Sequence, residues 1–235
     1  VGFEANIIEN HDEPRGASTY LPEYAQNEDG IKMIATTSVL LRGLPFIYQG
    51  QEIGMRNCMM ESIDEYDDIS TINSYNEGIK SGMSEKEALY MCYRISRDNA
   101  RTPMQWNSSK NAGFTDGKPW LKVNQNYTDI NVENQLENEN SVLRYYQKLI
   151  ALRKSEEYSD IFTNGHFEPA YLEEHKVFAY YRKLDNKKIL VVANFGEAEV
   201  SLNLEERGEV ILSNMDKVGE VENKLVVKSC EVYVI

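Results

Sequence analysis

The chain has 235 residues, 41% hydrophobic and 27% charged, which suits one large folded domain or two smaller ones and is wrong for a disordered chain. With 25 Lys and Arg against 38 Asp and Glu, the formal charge of −13 argues against nucleic acid and against an anionic membrane surface, because both are bound through cationic side chains. No apolar run approaches the ~18–20 residues of a membrane span, and the opening Val1-Gly2-Phe3-Glu4 reads as neither an initiator methionine nor a signal peptide.

The first expected element is a strand over Phe3–Glu9, stopped by the polar cluster Asn10-His11-Asp12-Glu13-Pro14. Apolar spacing predicts a helix over Ile31–Arg42, with Gly43 as its stop. A second short strand follows at Pro45–Tyr48 and ends at Gln49-Gly50-Gln51-Glu52. Strand, helix and strand read as a parallel βαβ unit, in which ligand chemistry gathers at the C-terminal ends of the strands.

The stretch 53–140 is Asn- and Asp-rich and reads as only partly helical. Ser84–Tyr93 is the expected helix there, with Ser84 and Glu87 at capping-box spacing. The acidic run Glu61–Asp68 lacks the spacing of a Ca²⁺ loop and reads as a solvated face. Ser96–Trp106 reads as a functional loop, since long loops inside compact domains usually are.

Ser141–Lys154 has the pattern of an amphipathic helix, with Val142, Tyr146, Leu149 and Ile150 on its apolar side and Ser141 or Asn140 as cap. After about Ser159 the period shortens. Lys176–Leu184, Lys188–Phe195, Glu209–Leu212 and Leu225–Ile235 are β-rich runs separated by turn residues, which predicts a small antiparallel β-sandwich. Cys58, Cys92 and Cys230 form neither a CxxC pair nor an even disulfide set, so unpaired thiols in a reducing cytoplasm are expected.

Two parallel strands cannot cover their own faces, so further βα units are expected ahead of this segment. An unpaired edge and an apolar face also predict self-association or a rearranged fold of the isolated chain.

Three segments then carry a family resemblance. Glu9-Asn10-His11-Asp12 with Glu13-Pro14-Arg15, Gly43–Gly54 (GLPFIYQGQEIG) and Ser96–Trp106 (SRDNARTPMQW) stand in this order. Ala112-Gly113-Phe114, Pro119-Trp120, Asn124–Tyr127 and Tyr145–Lys154 continue the match. Together they resemble the α-amylase superfamily of glycoside hydrolases, in its oligo-1,6-glucosidase and α-glucosidase branch. The implied fold is α/β plus β. Residues 1–160 would be the C-terminal part of a catalytic (β/α)8 TIM barrel and 161–235 a C-terminal β-sandwich domain.

The resemblance implies retaining hydrolysis of α-glucosides such as isomaltose, with neither cofactor nor metal. Asp12 would be the carboxylate that stabilises the transition state. His11 would donate to a sugar hydroxyl, and Arg97 would bind the terminal glucose while paired to an Asp from an earlier barrel loop. Arg101 would bind substrate more weakly, with a salt bridge to Asp98 as the alternative. Glu52 is expected to be buried and structural, and Arg15 a rim or scaffold residue. Packing is the default for Trp106 and Trp120, although their faces suit pyranose rings.

No segment matches the family's nucleophile or acid/base, so the chain alone should be inactive and should need the N-terminal part of its own barrel as partner. Dextran glucosidase, trehalose-6-phosphate hydrolase and sucrose-isomerising neighbours remain open, as does a non-catalytic, transporter-associated ectodomain.

Overall fold

The computed structural model describes residues 2–235, so Val1, at the head of the opening segment, lies outside the described residues. In chain order the elements are β1 (Ala5–Ile7), α1 (Gly16–Tyr20), α2 (Glu28–Val39), β2 (Leu44–Phe46), α3 (Ile69–Lys80), α4 (Glu85–Ile95), α5 (Asp98–Arg101), α6 (Val132–Glu137), α7 (Val142–Lys154) and α8 (Ser159–Asn164). The strands β3 (His166–Ala170), β4 (Val177–Leu184), β5 (Lys187–Asn194), β6 (Val200–Asn203), β7 (Gly208–Val210), β8 (Leu212–Ser213), β9 (Gly219–Val221), β10 (Lys224–Val227) and β11 (Val232–Val234) follow. They fall into two compact units. One gathers the segments up to Ile7, Glu23–Phe46 and Tyr145–Ile235; the other gathers Ile8–Pro22 and Ile47–Arg144.

In the first unit β1 and β2 pair in parallel, with Ala5 opposite Leu44 and Ile7 opposite Phe46. Both strands are shorter than the apolar runs that contain them, and Ile7, Leu44 and Phe46 are exposed. A parallel pair without further strands has nothing to cover these side chains.

Helix α2, which joins the two strands, starts three residues before the apolar period does. Asn27 caps it, its Oδ1 accepting from the Gly30 N–H at 3.0 Å, and Glu28 and Asp29 place negative charge in the first turn. The helix ends at Val39, so Gly43 is not its stop. Gly43 instead sits at φ +134° in the turn into β2, where a Cβ would lie 2.6 Å from the Glu4 carbonyl oxygen. Arg153 of α7 donates to the carbonyls of Val39, Leu41 and Gly43 at 2.7–3.2 Å and so satisfies acceptors that the helix end leaves open.

The antiparallel part of this unit is a five-stranded sheet in the order β3-β4-β5-β11-β8, with the smaller pairs β6–β10 and β7–β9. Ala179, Tyr181, Leu190, Val192 and Tyr233 on one face of the large sheet pack with Leu202, Leu225 and Val227 of the β6–β10 pair. The opposite face is buried too: the Tyr180 hydroxyl donates to the Thr37 carbonyl at 3.0 Å, and Arg182 donates to Leu40 at 2.7 Å and to Gly165 at 2.9 Å.

Strands β4 and β5 lie where alternation predicts them. Strand β3 was not expected, because Pro169 interrupts its run; it pairs on one side only, where a proline is tolerated. On α7, Val142, Tyr146 and Leu149 are buried as expected, whereas Ile150 is exposed and Tyr145 is buried in its place. Tyr145 shares a 2.7 Å hydrogen bond with Thr36, and Ser141 caps the helix through the Arg144 N–H at 3.2 Å.

In the second unit α3 and α4 pack on each other around Cys58, Met60, Tyr66 and Cys92. Ser84 and Glu87 form the expected capping box on α4. Helix α3 was not expected from its β-branched, Asn- and Gly-containing sequence. A second small core joins Ile53, Met55 and Met104. All three cysteines are free and buried. Among the described residues no helix is long and apolar enough to cross a membrane.

Candidate active site

The second unit brings together four residues that lie far apart in sequence. Arg15 builds the floor. It is buried, and its Nη1 reaches Glu9 Oε2 at 3.2 Å and the Gln49 carbonyl at 2.8 Å. Its Nε and Nη2 donate to the carbonyls of Asn99 and Ala100, and its own N–H donates to Asn57 Oδ1 at 2.9 Å. Arg15 is therefore a scaffold residue and not a rim residue. Burial pushes the Glu9 carboxyl up, against the lowering effect of Arg15 beside it.

The segment Ser96–Arg101 is a knot of mostly paired polar groups rather than an open loop, although the buried Asp98 Oδ1 has no hydrogen-bond partner, and it contains the short helix α5. Asp98 Oδ2 accepts from the N–H groups of Asp67 and Asp68, both at 2.8 Å. Asn99 accepts from the Cys58 N–H and donates to the carbonyls of Tyr93 and Ser96. Buried polar groups are costly unless paired, and these pairings hold the backbone in one conformation. Arg97 and Arg101 stand one turn apart and both reach Asp12.

Asp12 Oδ1 lies 2.9 Å from Arg101 Nη2 and 3.5 Å from Arg97 Nη1. Its Oδ2 lies 3.3 Å from His11 Nε2. The Asp12 N–H donates to Asn10 Oδ1 at 2.7 Å, a local turn that fixes the backbone before Pro14. Arg101 Nε donates to the His11 carbonyl at 3.0 Å, and its Nη1 lies 3.7 Å from Asp98. The Asp12 side chain keeps 53% of its surface open, so a carboxylate held by two guanidinium groups faces outward with acceptor capacity to spare.

Asp68 is the residue that sequence reasoning missed. It belongs to the acidic run expected to be solvated, yet it is buried against Arg97, whose Nε and Nη2 both donate to Asp68 Oδ1. Thr71 Oγ1 donates to its other oxygen at 2.8 Å. Burial pushes the Asp68 carboxyl up, but Arg97 and Thr71 outweigh it and hold the group at about 2. Asp68 in turn raises Arg97. The signal available was the Asp-x-x-Thr spacing of Asp68 and Thr71 at a helix start.

Elsewhere in the run Glu61 and Glu65 both hold Lys122 at 3.1 Å and Tyr66 is buried, while Glu61, Asp64 and Asp67 are exposed as expected. Glu52 is half-buried and not fully buried; its Oε2 accepts from the Gly50 N–H at 2.7 Å. Gly50 has φ +89°, and a Cβ there would meet Met55 Sδ at 2.5 Å, so only glycine fits this turn. Trp106 and Trp120 are exposed, which corrects the expectation that they pack. Among the described residues no three His, Cys, Asp or Glu side chains converge as a metal site.

A sequence model described as the alpha amylase catalytic domain matches residues 1–165, and one for the alpha-amylase SusG C-terminal domain matches residues 177–229. The oligo-1,6-glucosidase of Parageobacillus thermoglucosidasius is 40% identical over 94% of this chain and 40% of its own length. The glucan 1,6-alpha-glucosidase of Streptococcus pneumoniae is 38% identical over 100% of this chain and 43% of its own. The solved trehalose-6-phosphate hydrolase of Bacillus licheniformis superposes with a TM-score of 0.91 at 36% identity, over 99% of this chain and 43% of that one. The chain spans about two fifths of the length of the curated relatives it matches. The β1–α2–β2 unit is the C-terminal part of a (β/α)8 barrel, and the antiparallel sheets form the β domain that follows it.

Proposed function

Because the chain belongs to the alpha-amylase catalytic-domain family, we propose that it supplies the C-terminal portion of a retaining, exo-acting α-glucosidase acting on α-1,6 and α-1,4 linkages of short oligosaccharides such as isomaltose. The observation that carries this reading is the outward-facing Asp12 carboxylate held by Arg97, Arg101 and His11. Positive charge develops on the sugar ring as the glycosidic bond breaks, and a fixed carboxylate stabilises it without reorganising at the moment of reaction.

In this reading Asp12 is the transition-state stabiliser and His11 donates to a sugar hydroxyl. Arg97, fastened to Asp68, and Arg101, fastened to the His11 carbonyl, fix the ring at the non-reducing end. The nucleophile and the acid/base come from the preceding part of the barrel, which is the partner this half requires. Names of relatives support the 1,6 preference, since the oligo-1,6-glucosidase and the glucan 1,6-alpha-glucosidase both match most of the chain. Three free thiols support a reducing, cytoplasmic location.

The test is Asp12→Asn in the enzyme assembled with the preceding barrel segment. We expect kcat on isomaltose to fall by a factor of ~10³ or more with the fold intact; near-normal turnover would overturn the role of Asp12. The 235-residue chain alone is expected to release no glucose from isomaltose.

A further inference from the structure

Asp98, at the start of α5, is a buried carboxylate whose two oxygens face different neighbours. It is 0% exposed, so every group that can reach it belongs to this chain. Its Oδ2 accepts from the Asp67 and Asp68 N–H groups, both at 2.8 Å, and its own N–H donates to Ser96 Oγ at 3.2 Å. Its Oδ1 has no hydrogen-bond partner in the chain and lies 3.7 Å from Arg101 Nη1, one turn along the helix.

Only the first of these duties is open to a neutral side chain. The oxygen of an Asn amide would accept the same two N–H groups with no charge to bury. Burying a carboxylate is costly unless a cation answers it, and the cation that faces Oδ1 is Arg101. At 3.7 Å the contact is too long for a hydrogen bond, so it acts through charge.

The two arginines of the site follow one pattern. Arg97 bridges Asp12, 3.5 Å away, to the buried Asp68. Arg101 bridges Asp12, 2.9 Å away, to the buried Asp98. Each guanidinium has an open carboxylate in front and a buried one behind. Asp98 stands behind both arms, because it also fixes the backbone N–H of Asp68. Three carboxylates share two guanidinium groups, which leaves one net negative charge in the cluster. Asp68 and Asp98 are closed to solvent, so Asp12 is where that charge meets a substrate.

We propose that Asp98 is a positioning residue for the reaction at Asp12. It holds Arg101 from behind, holds Arg97 through the Asp68 backbone, and keeps the two guanidinium groups from neutralising the carboxylate between them. The inference rests on the reading of Asp12 as the transition-state stabiliser. A neutral sugar in the ground state gains little from the extra charge, whereas a ring acquiring positive charge is stabilised by it. Loss of the Asp98 charge therefore belongs in kcat and not in KM.

The test is Asp98→Asn in the enzyme assembled with the preceding barrel segment, with circular dichroism checking the fold. The variant keeps an oxygen for the Asp67 and Asp68 N–H groups and removes the charge. We expect kcat on isomaltose to fall ~30-fold, less than for Asp12→Asn because the charge acts at one remove, with KM changed by less than about threefold. In an Arg101→Gln background the same substitution should lower kcat less than about threefold, because the cation through which Asp98 acts is gone.

A merely structural Asp98 would cost the same in both backgrounds. That result would overturn the proposal, and so would native kcat in the single variant or a rise in KM alone. Arg101→Gln leaves the buried bonds of Asp98 in place and decides the matter even where Asp98→Asn does not fold: native kcat there would overturn the coupling. Normal turnover of assembled Asp12→Asn would sink the role of Asp12 and this one together. A large loss in Asp12→Asn beside a silent Asp98→Asn would sink Asp98 alone.

Discussion

Around Asp12 the buried side chains are polar, and each is held by a particular partner. In the C-terminal sheets they are mostly apolar, and what holds them is the area they remove from water. Arg15, Asp98 and Asn99 satisfy backbone groups of segments more than 30 residues away. Val192, Leu202 and Val227 need only a neighbour of suitable shape. The first arrangement places charged atoms to within a hydrogen bond, as a site for a developing charge requires. The second tolerates volume-conserving exchange and serves to keep the fold. Single substitutions should therefore fail differently in the two regions.

The sharpest break is expected at Arg15. Replacing it with Met leaves Glu9 buried beside no cation, and removal of one partner from a buried pair costs ~3–5 kcal/mol. Equilibrium urea denaturation of the chain measures this. Adding Glu9→Gln should recover part of the loss, because the stranded charge is gone. A loss below ~1 kcal/mol in the single variant would show that the polar knot is held by something other than this pair.

Val192→Ala in the sheet core should cost less, about 2 kcal/mol, since it removes two methyl groups from a fully buried position and leaves a cavity. Here no second substitution at a polar site should rescue it. A cost equal to that of Arg15→Met would erase the contrast between the two regions.

Asp68→Asn tests the polar region by pH. The folded carboxyl titrates at about 2, below its unfolded value of ~3.9, so its contribution is complete above that value and is lost as pH falls toward 2. Arg97 is partly open to solvent, which discounts the effect to ~1–2 kcal/mol. Stability measured from pH 5 down to pH 2 should fall less steeply in the variant than in the native chain. Parallel curves would mean that Asp68 and Arg97 are not coupled in solution.

The same contrast explains what could be read from the sequence. Strands β4 and β5 show period-two alternation, so burial announces them. Strand β3 is hidden by Pro169, which only its position at the edge of the sheet permits. Helix α3 has weak propensity and owes its start to the Asp68 and Thr71 pairing and its course to packing on α4. At the site, His11, Asp12, Arg97 and Arg101 stood out by resemblance to a family. Their meeting did not, because an ion pair across 89 residues leaves no periodic trace. Asp68 was lost for the same reason: a carboxylate destined for Arg97 looks like any other in an acidic run.

The smallest effect expected lies at Asn27, a polar device inside the largely apolar unit. The apolar period begins at Ile31 and says nothing of the turn before it, yet Asn27 Oδ1 accepts from the Gly30 N–H and its Nδ2 donates to the Tyr24 carbonyl at 3.1 Å. Losing the cap in Asn27→Ala should cost ~1 kcal/mol, whereas Asn27→Gly, which frees the N–H groups to water, should cost only a few tenths. The order of the two variants is diagnostic, since both remove the capping amide, while Gly leaves the helix end more open to water at the cost of a freer backbone. If Gly proved the worse of the two, backbone freedom and not capping would govern the start of α2, and the helix would owe its extra turn to the packing of the unit that contains it.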